Sequence, residues 1–127
     1  RTTIENGFVH GAPELVVEVS KATRYVDLGP KKADYEPAGV LEYFVHAMDP
    51  DEIFWFGQDQ GALVQRAAGD DGLYRSTAFP GLWLDPQALL TGHRKRMREV
   101  VDLGCATPEH AAFVARLAAA RTVGQAE

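Results

Sequence analysis

The residue that most needs explaining is Glu18, a carboxylate set inside the apolar run Leu15-Val16-Val17-Glu18-Val19. Burying such a charge without a partner costs several kcal/mol or forces protonation, so something must compensate it. An Arg24 or Lys31 side chain would make a structural ion pair. A divalent metal would make a site, because hard cations take oxygen ligands and often use only one or two protein carboxylates. Side chains alternate along a strand, so Glu14 and Glu18 fall on the same face, although Glu14 follows Pro13 at the beginning of the strand, where a solvated carboxylate is equally at home. Lys31 and Lys32 come shortly after. A lysine beside a metal-bound water can hold that water or stabilise the pentacovalent phosphate of a hydrolysis reaction. Lysines in a first helical turn oppose the macrodipole, so stability alone gives no motive for placing them there.

Other chemistries find no support. His10, His46, His93 and His110 are scattered without ligand spacing, and the single Cys105 excludes a multi-cysteine zinc site and an internal disulfide. Cys105 itself, in Asp102-Leu103-Gly104-Cys105, reads as packing at a helix end rather than as a nucleophile. Gly11, Gly29 and Gly39 form no phosphate-binding loop, and no GxSxG elbow occurs. The one basic cluster is Arg94-Lys95-Arg96-Met97-Arg98, where phosphate contact competes with the ordinary solvated helix face.

The elements that must carry these residues follow from periodicity. Glu14–Val19 reads as a buried central strand, and Asp27-Leu28-Gly29-Pro30 as an N-cap and first turn of a short helix that Pro37 and Gly39 end. Glu42–Ala47 and Glu52–Gly57 form a hairpin around Asp49-Pro50-Asp51, and Ala62–Arg66 and Tyr74–Phe79 extend it into a meander. Phe54 and Phe56 share one side of their strand and Trp55 takes the other, with core packing the expected use of all three. From Asp85-Pro86 the texture turns helical, and Thr107-Pro108-Glu109 opens a last helix with Phe113, Val114, Leu117 and Ala118 as its stripe.

The whole chain has 127 residues, 46% of them hydrophobic, which suits one domain with a helical extension from about residue 86. Thirteen Lys and Arg against 18 Asp and Glu give a formal charge of −5, so any contact with nucleic acid must be local. No apolar run approaches a membrane span, and a lone cysteine is what a reducing cytoplasm permits. The sequence opens on Arg1-Thr2-Thr3 and reads as a piece of a longer protein.

Several segments taken together go beyond what single residues imply. Gly11-Ala12-Pro13-Glu14-Leu15-Val16-Val17-Glu18-Val19, then Asp27-Leu28-Gly29-Pro30-Lys31 with Tyr35, then Ala38-Gly39-Val40-Leu41-Glu42-Tyr43, Met48-Asp49-Pro50 and Phe79-Pro80-Gly81-Leu82-Trp83-Leu84, resemble the Uma2 family of restriction endonucleases in order and spacing. The resemblance implies an α/β (α+β) fold of the PD-(D/E)XK type, a mixed central β-sheet flanked by helices, and DNA cleavage with Mg2+ or Mn2+. It makes Glu18 the acid that ligates metal, with Glu14 as the second candidate ligand, and puts the lysine on the following helix at Lys31, since Ser20 stands where the superfamily has its lysine. Lys32 is the lesser candidate. A partner aspartate would come from an upstream strand carrying a Pro-Asp pair, so the expected fold lacks its N-terminal part here. Cutting both strands would call for a homodimer. The alternative is a catalytically inactive nuclease-like fold, a binding or assembly module with Glu18 in a structural ion pair.

Overall fold

The computed structural model describes residues 2–124. These divide into two compact units, the first ending at Ala67 and the second beginning at Ala68.

In the first unit, β1 (Thr3–Glu5) and β2 (Phe8–His10) form a small antiparallel hairpin around Asn6-Gly7, both at positive φ. Such a turn favours these two residues because glycine lacks a Cβ and asparagine tolerates the left-handed region. The main sheet has four strands in the order β3-β4-β5-β6: β3 (Leu15–Ser20), β4 (Glu42–Met48), β5 (Asp51–Asp59) and β6 (Ala62–Arg66). The pair β3 and β4 is parallel and the other two pairs are antiparallel, so the sheet is mixed. A parallel pair needs a crossover. Here it is one continuous helical stretch made of α1 (Arg24–Val26), a π-helical turn (Asp27–Lys31) and α2 (Lys32–Ala38), closed by Gly39 at φ 83°.

That helix covers one face of the sheet. Tyr43, Val45, Phe56 and Leu63 form the buried cluster beneath it, with Val16, Leu28, Tyr35 and Phe54 packed around. Tyr43 and Phe56 are cross-strand partners with rings stacked at 6.0 Å, and Tyr35 comes down from the helix to meet Tyr43 edge-on at 5.1 Å. On the opposite face Trp55 packs edge-on against its cross-strand partner Phe44, and both are buried. The aromatic run therefore serves both faces as core.

Three expectations need correction. The strand carrying Glu18 is at the edge of the sheet among the described residues, and Val17 and Val19, on the face away from the helix, are 57% and 63% exposed rather than buried. Asp27 is no N-cap, because the helix begins a turn earlier, with Thr23 preceding it. Pro30, which has no N–H to give the preceding turn, lies within the helix in the widened π turn that dispenses with that bond. The lysines consequently stand in mid-helix, where the dipole argument does not apply.

The second unit begins with a short hairpin, β7 (Tyr74–Arg75) paired with β8 (Trp83–Leu84). Tyr74–Phe79 thus does not prolong the meander; only its first two residues are extended, and they take a partner further along the chain. Then follow α3 (Pro86–Leu90), α4 (Arg94–Cys105) and α5 (Pro108–Gly124). Asp85 caps α3 as expected, its carboxylate accepting from the N–H groups of Gln87 and Ala88. Gly104 fits so closely under Gly81 that a Cβ would meet the Gly81 carbonyl oxygen. Phe113 meets Phe79 at 6.1 Å, but Val114 and Leu117 of the proposed α5 stripe are about half exposed, and so is Cys105 open to solvent rather than packed.

Candidate active site

The face of β3 that looks toward the helix carries Val16, Glu18 and Ser20, in register with Tyr43, Val45 and Ala47 of β4. Because the helix crosses that face, the π turn and the first turn of α2 project side chains onto Glu18. Lys31 Nζ lies 3.1 Å from Glu18 Oε1, and the Tyr35 hydroxyl, one turn on, donates to the same oxygen at 3.3 Å. The two residues singled out in the sequence are therefore brought together. Arg24, the other candidate partner of Glu18, pairs instead with Glu52.

Sequence reasoning missed Asp27. Its side chain is 1% exposed, and Lys31 Nζ lies 2.7 Å from its Oδ1. Its Oδ2 accepts from the Thr23 hydroxyl at 2.7 Å, Thr23 is in turn 3.3 Å from the Ser20 hydroxyl, and the buried Tyr43 hydroxyl donates to the Asp27 backbone carbonyl at 3.0 Å. Among the described residues Oδ1 has no aligned hydrogen bond, so its compensation is the adjacent ammonium charge. The available signal was the i,i+4 spacing of Asp27 and Lys31, which puts the two side chains on one side of a helix.

The charges shift one another accordingly. Asp27 beside it, and then Glu18, push the Lys31 ammonium up to about 12. Burial alone would raise the Asp27 carboxyl, but Lys31 and the Thr23 and Ser20 hydroxyls hold it below its ordinary value. Burial, then the Glu18 charge, raises the Tyr35 phenol. For Lys31 the folded state binds the proton more tightly than the unfolded chain does, so its contribution to stability is complete below pH 10.5 and is lost as pH rises through about 12. The unfolding midpoint, followed upward from about pH 9, should thus fall more steeply in the native protein than in Lys31→Met.

As a donor set, this cluster offers a hard cation one reachable carboxylate. Glu18 retains 27% side-chain exposure, whereas Asp27 is sealed and committed to Lys31 and Thr23. Glu14 is half-buried just before β3, its carbonyl accepting from the N–H of Glu42, and four residues of strand put it about 13 Å from Glu18. Among the described residues no three His, Cys, Asp or Glu side chains stand close enough to hold an ion. Magnesium takes one or two carboxylates and fills its remaining positions with water and substrate oxygens, so Glu18 fits as a single protein ligand.

The basic cluster lies on α4 in the second unit, and most of its charge is answered locally. Arg96 pairs with the capping Asp85 at 3.0 Å, Arg98 with Asp102 at 3.0 Å, and Lys95 with Glu99 at 3.9 Å. The Lys95–Glu99 and Arg98–Asp102 pairs are exposed and worth at most about 1 kcal/mol each, whereas Asp85 is largely buried and holds Arg96 at the cap of α3.

A family model described as "Putative restriction endonuclease", Uma2, matches residues 1–87. The chain belongs to the Uma2 family. Among curated proteins no match was found. The Uma2 match takes in the whole first unit together with β7, β8 and the cap of α3, and it ends as α3 begins. No described helix is long and apolar enough to cross a membrane.

Proposed function

We propose that this Uma2 protein is a metal-dependent DNA endonuclease that hydrolyses phosphodiester bonds, with Glu18 and Lys31 at its centre. The observation that carries the reading is the Lys31 ammonium held within 3.1 Å of a half-buried strand carboxylate. Glu18 would hold Mg2+ or Mn2+, and the metal, when bound, would supply Lewis-acid polarisation of the phosphate and a more acidic water. Lys31 would place a fixed positive charge where the phosphate oxygens gain negative charge, and Tyr35 would keep the Glu18 oxygen oriented. Glu14, at its distance, would add negative potential or act through water. Arg94, Lys95, Arg96 and Arg98 would exchange their intramolecular acids for DNA phosphates. The domain would be the family-matched part, with the helices from about residue 86 as an extension, and two copies would cut two strands.

A second reading has one observation in its favour: Glu18 is already compensated by Lys31 and Tyr35, as an inactive module with a structural ion pair would have it. Magnesium titration of the full-length protein separates the two. A site should raise the unfolding midpoint with free metal, the stability gain reaching about 2.7 kcal/mol when the metal is about 100 times Kd, and Glu18→Gln should remove the rise. A midpoint indifferent to magnesium would favour the structural pair.

A further inference from the structure

We infer that Asp27 is the positioning residue of this site, acting through Lys31 by fixing its ammonium against Glu18. The inference rests on the nuclease reading for its consequence, but its geometry stands in the fold. Lysine is a flexible side chain with four rotatable bonds, and Lys31 is 38% exposed, so contact with the half-exposed Glu18 alone leaves it free to swing into solvent. Asp27 removes that freedom. It is buried, its Oδ1 is 2.7 Å from Lys31 Nζ, and Lys31 Nζ is thereby held between two carboxylates, one sealed and one accessible.

Asp27 is itself braced, at its carboxylate and at its backbone. Thr23 donates to Oδ2, Ser20 stands behind Thr23, and Tyr43 fixes the backbone carbonyl of Asp27 from the core. The π turn belongs to the same device. Widening the helix between Asp27 and Lys31 brings positions four apart nearer to eclipsing than an α-helix does, and Pro30 within that turn stiffens the spacer. A surface i,i+4 pair needs none of this bracing. The chain elsewhere makes such pairs without it, as Arg98 and Asp102 do in α4.

The test is Asp27→Asn in the full-length protein, alone and combined with Lys31→Met. Cleavage of duplex DNA with magnesium should fall about 10–100-fold in kcat, as for other residues that orient an active group, with KM for DNA unchanged. In the Lys31→Met background Asp27→Asn should add nothing. An independent readout needs no cleavage: with 13C at lysine Cε, the two Hε protons of an immobilised Lys31 are inequivalent, and they should merge in Asp27→Asn while the amide spectrum stays dispersed. Should Asp27→Asn fail to fold, Thr23→Val at the exposed helix start decides, and it should give the same merging to a lesser degree. Native turnover and native Hε splitting in a folded Asp27→Asn or Thr23→Val, beside an impaired Lys31→Met, would overturn the positioning role and leave the nuclease reading intact. Full activity of Lys31→Met would instead remove the nuclease role of Lys31, and the Hε splitting would still decide whether Asp27 holds it.

Discussion

Glu18→Gln and Lys31→Met, made singly in the full-length protein, should each lower magnesium-dependent cleavage of duplex DNA by about 100–1,000-fold, the usual cost of losing one preorganised electrostatic contact to the transition state. Each substitution keeps the shape and removes the charge. Glutamine still accepts from Tyr35 but is a poor ligand for a hard cation, and methionine fills the volume of the lysine stem without an ammonium. Lys31→Arg is the informative control. Its charge is retained, but a planar guanidinium cannot sit as a compact point between Glu18 and Asp27, so most of the loss should persist. Lys31→Arg thereby separates compact charge in the site from charge in general. Cleavage rates in single-turnover conditions would measure all three, and native rates in either Glu18→Gln or Lys31→Met would exclude this assignment.

The sequence revealed this site unevenly, for physical reasons that differ residue by residue. Strands β4, β5 and β6 were readable because β-branched and aromatic residues run between unmistakable turn signals, and Ala62–Arg66 matches to the residue. Glu18 stood out because a carboxylate in an apolar run demands a partner. That the partner is Lys31 rather than Arg24 depends on how the helix crosses the sheet, a tertiary fact, so the sequence leaves both open. Asp27 was hidden by its own neighbours: Asp-Leu-Gly-Pro is an ordinary helix start, and nothing local tells that Thr23 begins the helix earlier or that Tyr43, sixteen residues away in the chain, holds the turn. Likewise Val17 and Val19 carry the composition of a buried strand, yet which face is covered depends on neighbouring elements and not on the strand. The hairpin of Tyr74–Arg75 with Trp83–Leu84 escapes the sequence for a different reason, since two-residue strands leave no periodicity to read.

Tyr43 joins the core to the site, and Tyr43→Ala should therefore be the most damaging single change in the first unit. Its side chain is fully buried, packed edge-on against Tyr35, stacked on Phe56, and hydrogen-bonded to the Asp27 carbonyl. Removing a buried aromatic ring costs about 3–5 kcal/mol through lost transfer energy and an unfilled cavity, against a total of about 5–15 kcal/mol for an ordinary domain. Tyr43→Phe isolates the polar part: it keeps the ring and loses only the bond to the π turn, at about 1 kcal/mol. The two variants should thus differ in kind. Denaturant unfolding should show Tyr43→Ala far to lower midpoint with little change for Tyr43→Phe, whereas the Lys31 Hε splitting should weaken in Tyr43→Phe although the fold is intact. Equal midpoints for the two would mean that the ring is not the keystone of this core, and an unchanged splitting in Tyr43→Phe would mean that the π turn holds its shape without the core's hydroxyl.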